Sequence, residues 1–216
     1  MDSRFIEAFG GWYLVILDVL LIVGVICFFR LPKVKRVNSY YWLPFLILAF
    51  TFVYENIGAY TNYNFEFNKT VNAFLGNPEN PRYNLWLFNI ANKQISTILY
   101  LFLIKSWIES SKKKYINWMI ILFIIVALIL QLTGIEPLYL NQPIIFAMGA
   151  NMILLGSGLY FIGLITNDKY LETTPFRLVS FWQMTFILFT YSLTYINYVA
   201  VLYLFEINPQ LGRSIA

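Results

Sequence analysis

Apolar runs of about 20 residues recur along this chain, and nothing else in it constrains the fold as strongly. Wound into a helix, a run of that length covers roughly 30 Å, the hydrocarbon thickness of a bilayer. Lipid offers the backbone no hydrogen bonds, so only helices and closed barrels span it. A barrel would show alternating segments of ~10 residues instead. The sequence therefore predicts an all-α, polytopic transmembrane helical bundle with six spans, at about residues 12–29, 40–60, 85–108, 116–132, 144–166 and 178–205. Residues 1–216 form one bundle in this reading. The charged fraction is 12%, against ~25% for an ordinary soluble domain. The longest polar stretch, Thr61 to Asn84, is too short for a core of its own.

Basic residues predict the orientation. The loops after the first, third and fifth spans, with their flanks, carry Arg30, Lys33, Lys35, Arg36, Lys105, Lys112, Lys113, Lys114, Lys169 and Arg177. The other side carries Arg4, Lys69, Arg82, Lys93 and Arg213. Ten against five places the basic loops in the cytoplasm and both chain ends outside. The net charge of +4 thus belongs to membrane topology and implies no nucleic acid partner. The opening MDSRFIEAFGGWY lacks a basic n-region and a small-residue cleavage site, so the first run is expected as a retained helix. Richness in Ile, Phe, Tyr, Asn and Lys points to an AT-rich bacterial genome, and so to the inner membrane. The one cysteine, Cys27, lies in an apolar run and reads as a small hydrophobic residue.

The run Leu85 to Ile108 is the most informative. Trp86 and Trp107 stand 21 residues apart, roughly 31 Å, the spacing of the two interfacial aromatic belts. Between them Asn89, Asn92, Lys93 and Gln94 interrupt the apolar sequence. A charge at that depth costs up to ~3 kcal/mol on insertion scales, which makes Lys93 a functional candidate. Asp18, Glu55, Asn56, Asn151, Tyr191, Thr194, Tyr195 and Asn197 fall at similar depths on other spans. On a straight α-helix Asn89, Asn92/Lys93, Ser96 and Tyr100 share one stripe. The expectation is an outward-facing polar pocket, with Asp18 and Glu55 as partners of Lys93. Three roles stay open for Lys93: snorkelling to the outer interface, a structural ion pair, or a ligand or ion site. The tyrosines of the last span suit packing and the aromatic belt ahead of a binding cage.

Other features are structural. The fourth span (ILFIIVALIL) is apolar all round and is expected at the bundle edge. Gly149, Gly156 and Gly163 recur at heptad spacing, a stripe that lets a second helix approach closely. Lys105 and Glu109 suit an interfacial i,i+4 pair. Asn68-Lys69-Thr70 matches a glycosylation sequon, which has meaning only outside bacteria.

What is missing narrows the chemistry. The chain has no histidine, which removes Ser-His catalysis, H-E-x-x-H zinc sites and His-ligated haem. One cysteine cannot run a two-thiol relay. Asp2, Asp18 and Asp168 are spread over three regions, so no intramembrane aspartyl dyad is expected. No lysine sits mid-span in the sixth helix, where rhodopsins hold retinal, and no phosphate loop is present. We expect no enzyme, cofactor or metal.

The run YNLWLFNIANKQISTILYLFLI with its basic turn resembles uncharacterised multi-pass membrane proteins of Bacteroidota. Some related-looking bundles there precede sensor-kinase modules. The resemblance covers roughly residues 40–205 and implies a seventh helix, supplied by a partner or by sequence beyond these six spans. The expected function is a sensor, binding or accessory subunit of a larger membrane assembly, with a membrane-protein partner or a second copy. An ion- or proton-coupled transporter and a purely structural subunit are the alternatives.

Overall fold

The computed structural model describes residues 3–79, 83–166 and 174–207, and side chains from 4 to 197 within those ranges. Asp2, Arg82, Asp168, Lys169 and Arg213 lie outside the described residues, as do the side chains of Tyr198 and Tyr203. The described chain is helical: α1 Ser3–Phe9, α2 Trp12–Arg30, α3 Lys33–Arg36, α4 Ser39–Tyr63, α5 Phe65–Phe74, α6 Leu85–Trp107, α7 Lys113–Leu132, α8 Pro143–Thr166 and α9 Val179–Ile207. Five of them, α2, α4, α6, α7 and α8, are long and apolar enough to cross a membrane. α9 is 29 residues long, and its side chains are described as far as Asn197.

Local chemistry sets the boundaries. α2 ends at Leu31, whose following proline disfavours further helix. Asn38 opens α4, its Oδ1 accepting from Tyr40 N at 3.1 Å. Pro44 is tolerated in that helix's early turns, where a missing N–H loses little. Gly134 follows α7 with φ +72°, a conformation glycine adopts without strain. α8 begins on Pro143, whose fixed φ suits a first helical position.

The stretch from Thr61 to Asn84 departs from the expected loop. α4 continues to Tyr63, and α5 follows at once, capped by Asn64 through Phe67 N at 3.2 Å. Amides pin this outer cap to the bundle. Trp86 donates its indole N–H to Asn68 Oδ1 at 3.0 Å, Asn72 donates to Tyr83 O, and Asn84 donates to Thr61 Oγ1 at 2.8 Å. Asn68 is fully buried, so its sequon could not carry a glycan without breaking this contact.

The helices pack in a row. α2 lies on α4, α4 on α6, α6 on α8 and α8 on α9, with α7 set against α6 and α8. Leu101, Ile104, Ile116, Phe123, Ile145, Ile153 and Met184 fill the centre. α8 approaches its neighbours through its glycines. A Cβ on Gly149 would sit 2.9 Å from Thr97 Oγ1 and 3.1 Å from Phe123, and one on Gly156 would sit 3.3 Å from Ile104 and Ile116. At Gly163 the nearest atom is Lys112 Nζ at 3.6 Å, so that glycine is not needed for close approach.

α7 buries one stripe, Ile116, Ile120, Phe123 and Ala127, and leaves the rest outward. The more peripheral span is α2, of which Leu17 alone is buried. It touches α4 at Gly24, where a Cβ would meet Leu48 at 2.8 Å, and through Phe28 stacked on Phe45 at 4.5 Å. The expected Lys105–Glu109 pair does not form, because α6 ends at Trp107 and the i,i+4 geometry ends with it. Lys105 lies over the Phe102 ring instead, and Glu109 faces Lys112 at 3.9 Å.

Candidate functional site

The polar patch of α6 coincides with a change in the helix itself. Residues Asn89–Ile95 form π-helical turns, with hydrogen bonds running five residues back. On such turns the neighbours along one face stand four and five apart, not three and four. Asn89 and Lys93/Gln94 therefore share a face, while Asn92, three residues on, turns outward and is exposed. That corrects the stripe expected from straight α-helical spacing.

This face holds the segment 133–142 between α7 and α8. Asn89, fully buried, donates to Leu138 O at 2.7 Å and Leu140 O at 2.6 Å. Lys93 Nζ donates to Asn141 Oδ1 at 2.6 Å, and Gln94 Nε2 to Gln142 Oε1 at 3.1 Å. Gln142 in turn donates to Glu136 O at 2.9 Å. Glu136 is buried with its carboxylate on the first turn of α8, accepting from Ile144 N and, at 2.9 Å, from Ile145 N. A helix N-terminus favours an anion by exposing free N–H groups and a positive dipole end. Glu136 is also the acidic group whose charge reaches Lys93.

The anticipated trio of Asp18, Glu55 and Lys93 does not assemble. Lys93 forms no ion pair with either carboxylate among the described residues, because Asn141 takes its ammonium on the loop side. Glu55 belongs to a separate cluster. It is half-buried, with Tyr13 of α2 and Tyr54 of its own helix near enough to feel its charge. Tyr100 of α6 and Tyr191 of α9 lie beyond, their rings edge to face at 5.4 Å. Tyrosines of four helices thus gather in the region of Glu55, which forms no ion pair among the described residues. Tyr195 is half-buried one turn past Tyr191. Asn56 turns back on its own helix, donating to Phe52 O at 2.9 Å.

The remaining candidates face outward. Asp18 is exposed on α2 beside the buried Leu17. Asn151 is exposed on α8 and donates to Ala147 O at 2.8 Å. Thr194 and Asn197 are exposed on α9. Toward the other membrane face the polar groups are bonded helix to helix: Tyr160 OH meets Ser180 Oγ at 2.7 Å and Trp107 donates to Gln183 at 2.8 Å.

The polar layer is therefore divided in two. Inward members tether the 133–142 segment or gather near Glu55, and outward members are left exposed on the helix surfaces. Sequence reading missed Glu136, Asn141 and Gln142. The available signal was a carboxylate and two amides just ahead of the proline that opens a helix. No family model, no curated protein and no solved structure matches this chain.

Proposed function

We propose that this chain is a non-enzymatic accessory or binding subunit of a larger membrane assembly, and that α2 is the span it presents to its partner. The reading includes six spans with α9 as the last, the amino terminus outside, and residence in a bacterial cytoplasmic membrane. One observation carries it: α2 buries only Leu17 and exposes Asp18 within its apolar length. A carboxylate facing lipid costs up to about 3 kcal/mol, and membrane proteins relieve that by pairing it. A second copy is poorly suited to the role. Two-fold pairing of α2 with itself would oppose two Asp18 carboxylates, and Lys93, the basic residue within the outer part of a span, is engaged by Asn141. The fitting partner is a different transmembrane helix with a basic or amide side chain in its outer third.

A photo-crosslinking residue placed at Val15 or Ile22, which flank Asp18 at i−3 and i+4, tests this in native membranes. Both should give one and the same protein adduct, lost on Asp18→Leu, while Ile125 on the outer face of α7 gives none. Lipid adducts alone from all three positions would overturn the proposal.

Glu55 favours a second reading, a small-cation site that couples ion or proton movement. A carboxylate with tyrosines beside it suits a cation, through charge and ring faces together. The helix-to-helix bonds of Tyr160, Ser180, Trp107 and Gln183 offer such an ion no onward chain of free groups. Liposome flux that disappears on Glu55→Gln would establish transport.

A further inference from the structure

We infer that the groove between α4 and α6 is a binding site for an anionic phospholipid. Trp42, Leu43 and Leu46 of α4 and Leu99 and Phe102 of α6 line a cleft of about 490 Å³. Its basic end is closed by Lys105 and Lys113, with Ser39 and Ser106 between them. Lys105 folds over the Phe102 ring at 5.7 Å, which sets its ammonium against the groove wall. A second, polar cavity of about 250 Å³ adjoins this end. It shares Ser106 and Lys113 with the groove and adds Tyr40, Ser110 and the Lys112–Glu109 pair, whose charges offset each other at 3.9 Å and leave Lys105 and Lys113 as the unbalanced cations. One site thus has an apolar compartment along the span and a polar, basic compartment where the basic turn begins.

The two compartments call for different halves of one molecule. Acyl chains already have lipid around them, so the apolar cleft alone selects nothing. Selection must come from the headgroup end, where each lysine near the membrane surface attracts an anionic headgroup and hydroxyls can donate to phosphate oxygens. A free anion would need no acyl groove, and a zwitterionic lipid would gain little net charge attraction. The same bundle supplies a comparison. On the far side, Tyr115, Met119, Leu154, Leu155 and Ile162 line a groove of about 520 Å³ with no lysine in its wall. Its rim holds one lysine, Lys114 over the Tyr115 ring at 5.3 Å, against two in the wall of the first groove, so the pair grades charge at similar size.

The test is native mass spectrometry of the protein released from vesicles of equimolar phosphatidylcholine and phosphatidylglycerol. Retained phosphatidylglycerol should exceed phosphatidylcholine on the order of tenfold, the effect of two partly screened lysines. Lys105→Gln with Lys113→Gln should bring the ratio to that of the bilayer. Lys35→Gln, exposed on α3 and outside these grooves, should leave it unchanged. If the double variant does not fold, Leu46→Trp fills the apolar cleft and should lower the ratio with helical content intact. Proportional retention by the wild-type protein would overturn the site, and so would enrichment that survives in the folded double variant or in Leu46→Trp.

Discussion

Replacing Asn89 tests most sharply whether the α6 polar patch is a tether. Asn89→Ala removes two donated hydrogen bonds, to Leu138 O at 2.7 Å and Leu140 O at 2.6 Å. Such bonds contribute about 0.5–1.5 kcal/mol each, and within membranes they average ~0.6. The other amide atom works the opposite way. Asn89 Oδ1 is buried without a hydrogen-bond partner among the described residues, and the substitution removes that cost. The net loss should be about 1–2 kcal/mol. Asn92→Ala, three residues away but exposed, should stay within ~0.5 kcal/mol. Reversible unfolding in mixed micelles measures the difference. Hydrogen exchange locates it: the amide of Leu140, bonded to Pro137 O at 3.2 Å, should exchange up to about tenfold faster in Asn89→Ala. Equal stabilities for the two alanine variants, or an unchanged Leu140 amide, would refute the tether and the π-helical facing behind it.

The glycines of α8 should grade by the space around them. Gly149→Ala should cost roughly 1–2 kcal/mol, since Thr97 is held by its own bond to Lys93 O and Phe123 is buried. Gly163→Ala should be neutral or stabilising by up to ~1 kcal/mol, as expected for helical Gly→Ala without a clash; thermal unfolding in one detergent ranks the two. Glu136→Ala should destabilise by about 1–2 kcal/mol and speed exchange at Ile144 and Ile145, whose N–H groups lose their acceptor.

Five of the expected spans were legible because length and apolarity dictate them whatever their neighbours are. The close approach at Gly149 follows equally directly from a missing side chain. The π-helical turns left no such mark. Asn89, Asn92 and Lys93 fit a straight α-helix as well as they fit the observed one, and only tertiary contact shows which face each takes. The loop tethers escaped for a similar reason. Lys93 and Asn141 are 48 residues apart, and no local pattern announces a pair across that distance. The amides of α5 read as loop composition because asparagine is common in turns. In the fold Asn64 is a cap, and Asn68 and Asn72 are buried connectors between the cap and the spans. The division of the polar layer into tethers and exposed groups is thus a property of packing.

The most direct measurement is the mass of the assembly carried out of native membranes in mild conditions, for the wild-type chain and for Asp18→Leu. The account predicts a complex of fixed stoichiometry with a different membrane protein, collapsing to the free chain in Asp18→Leu while thermal stability is unchanged. A wild-type protein that emerges alone, or a complex that Asp18→Leu leaves intact, would contradict it.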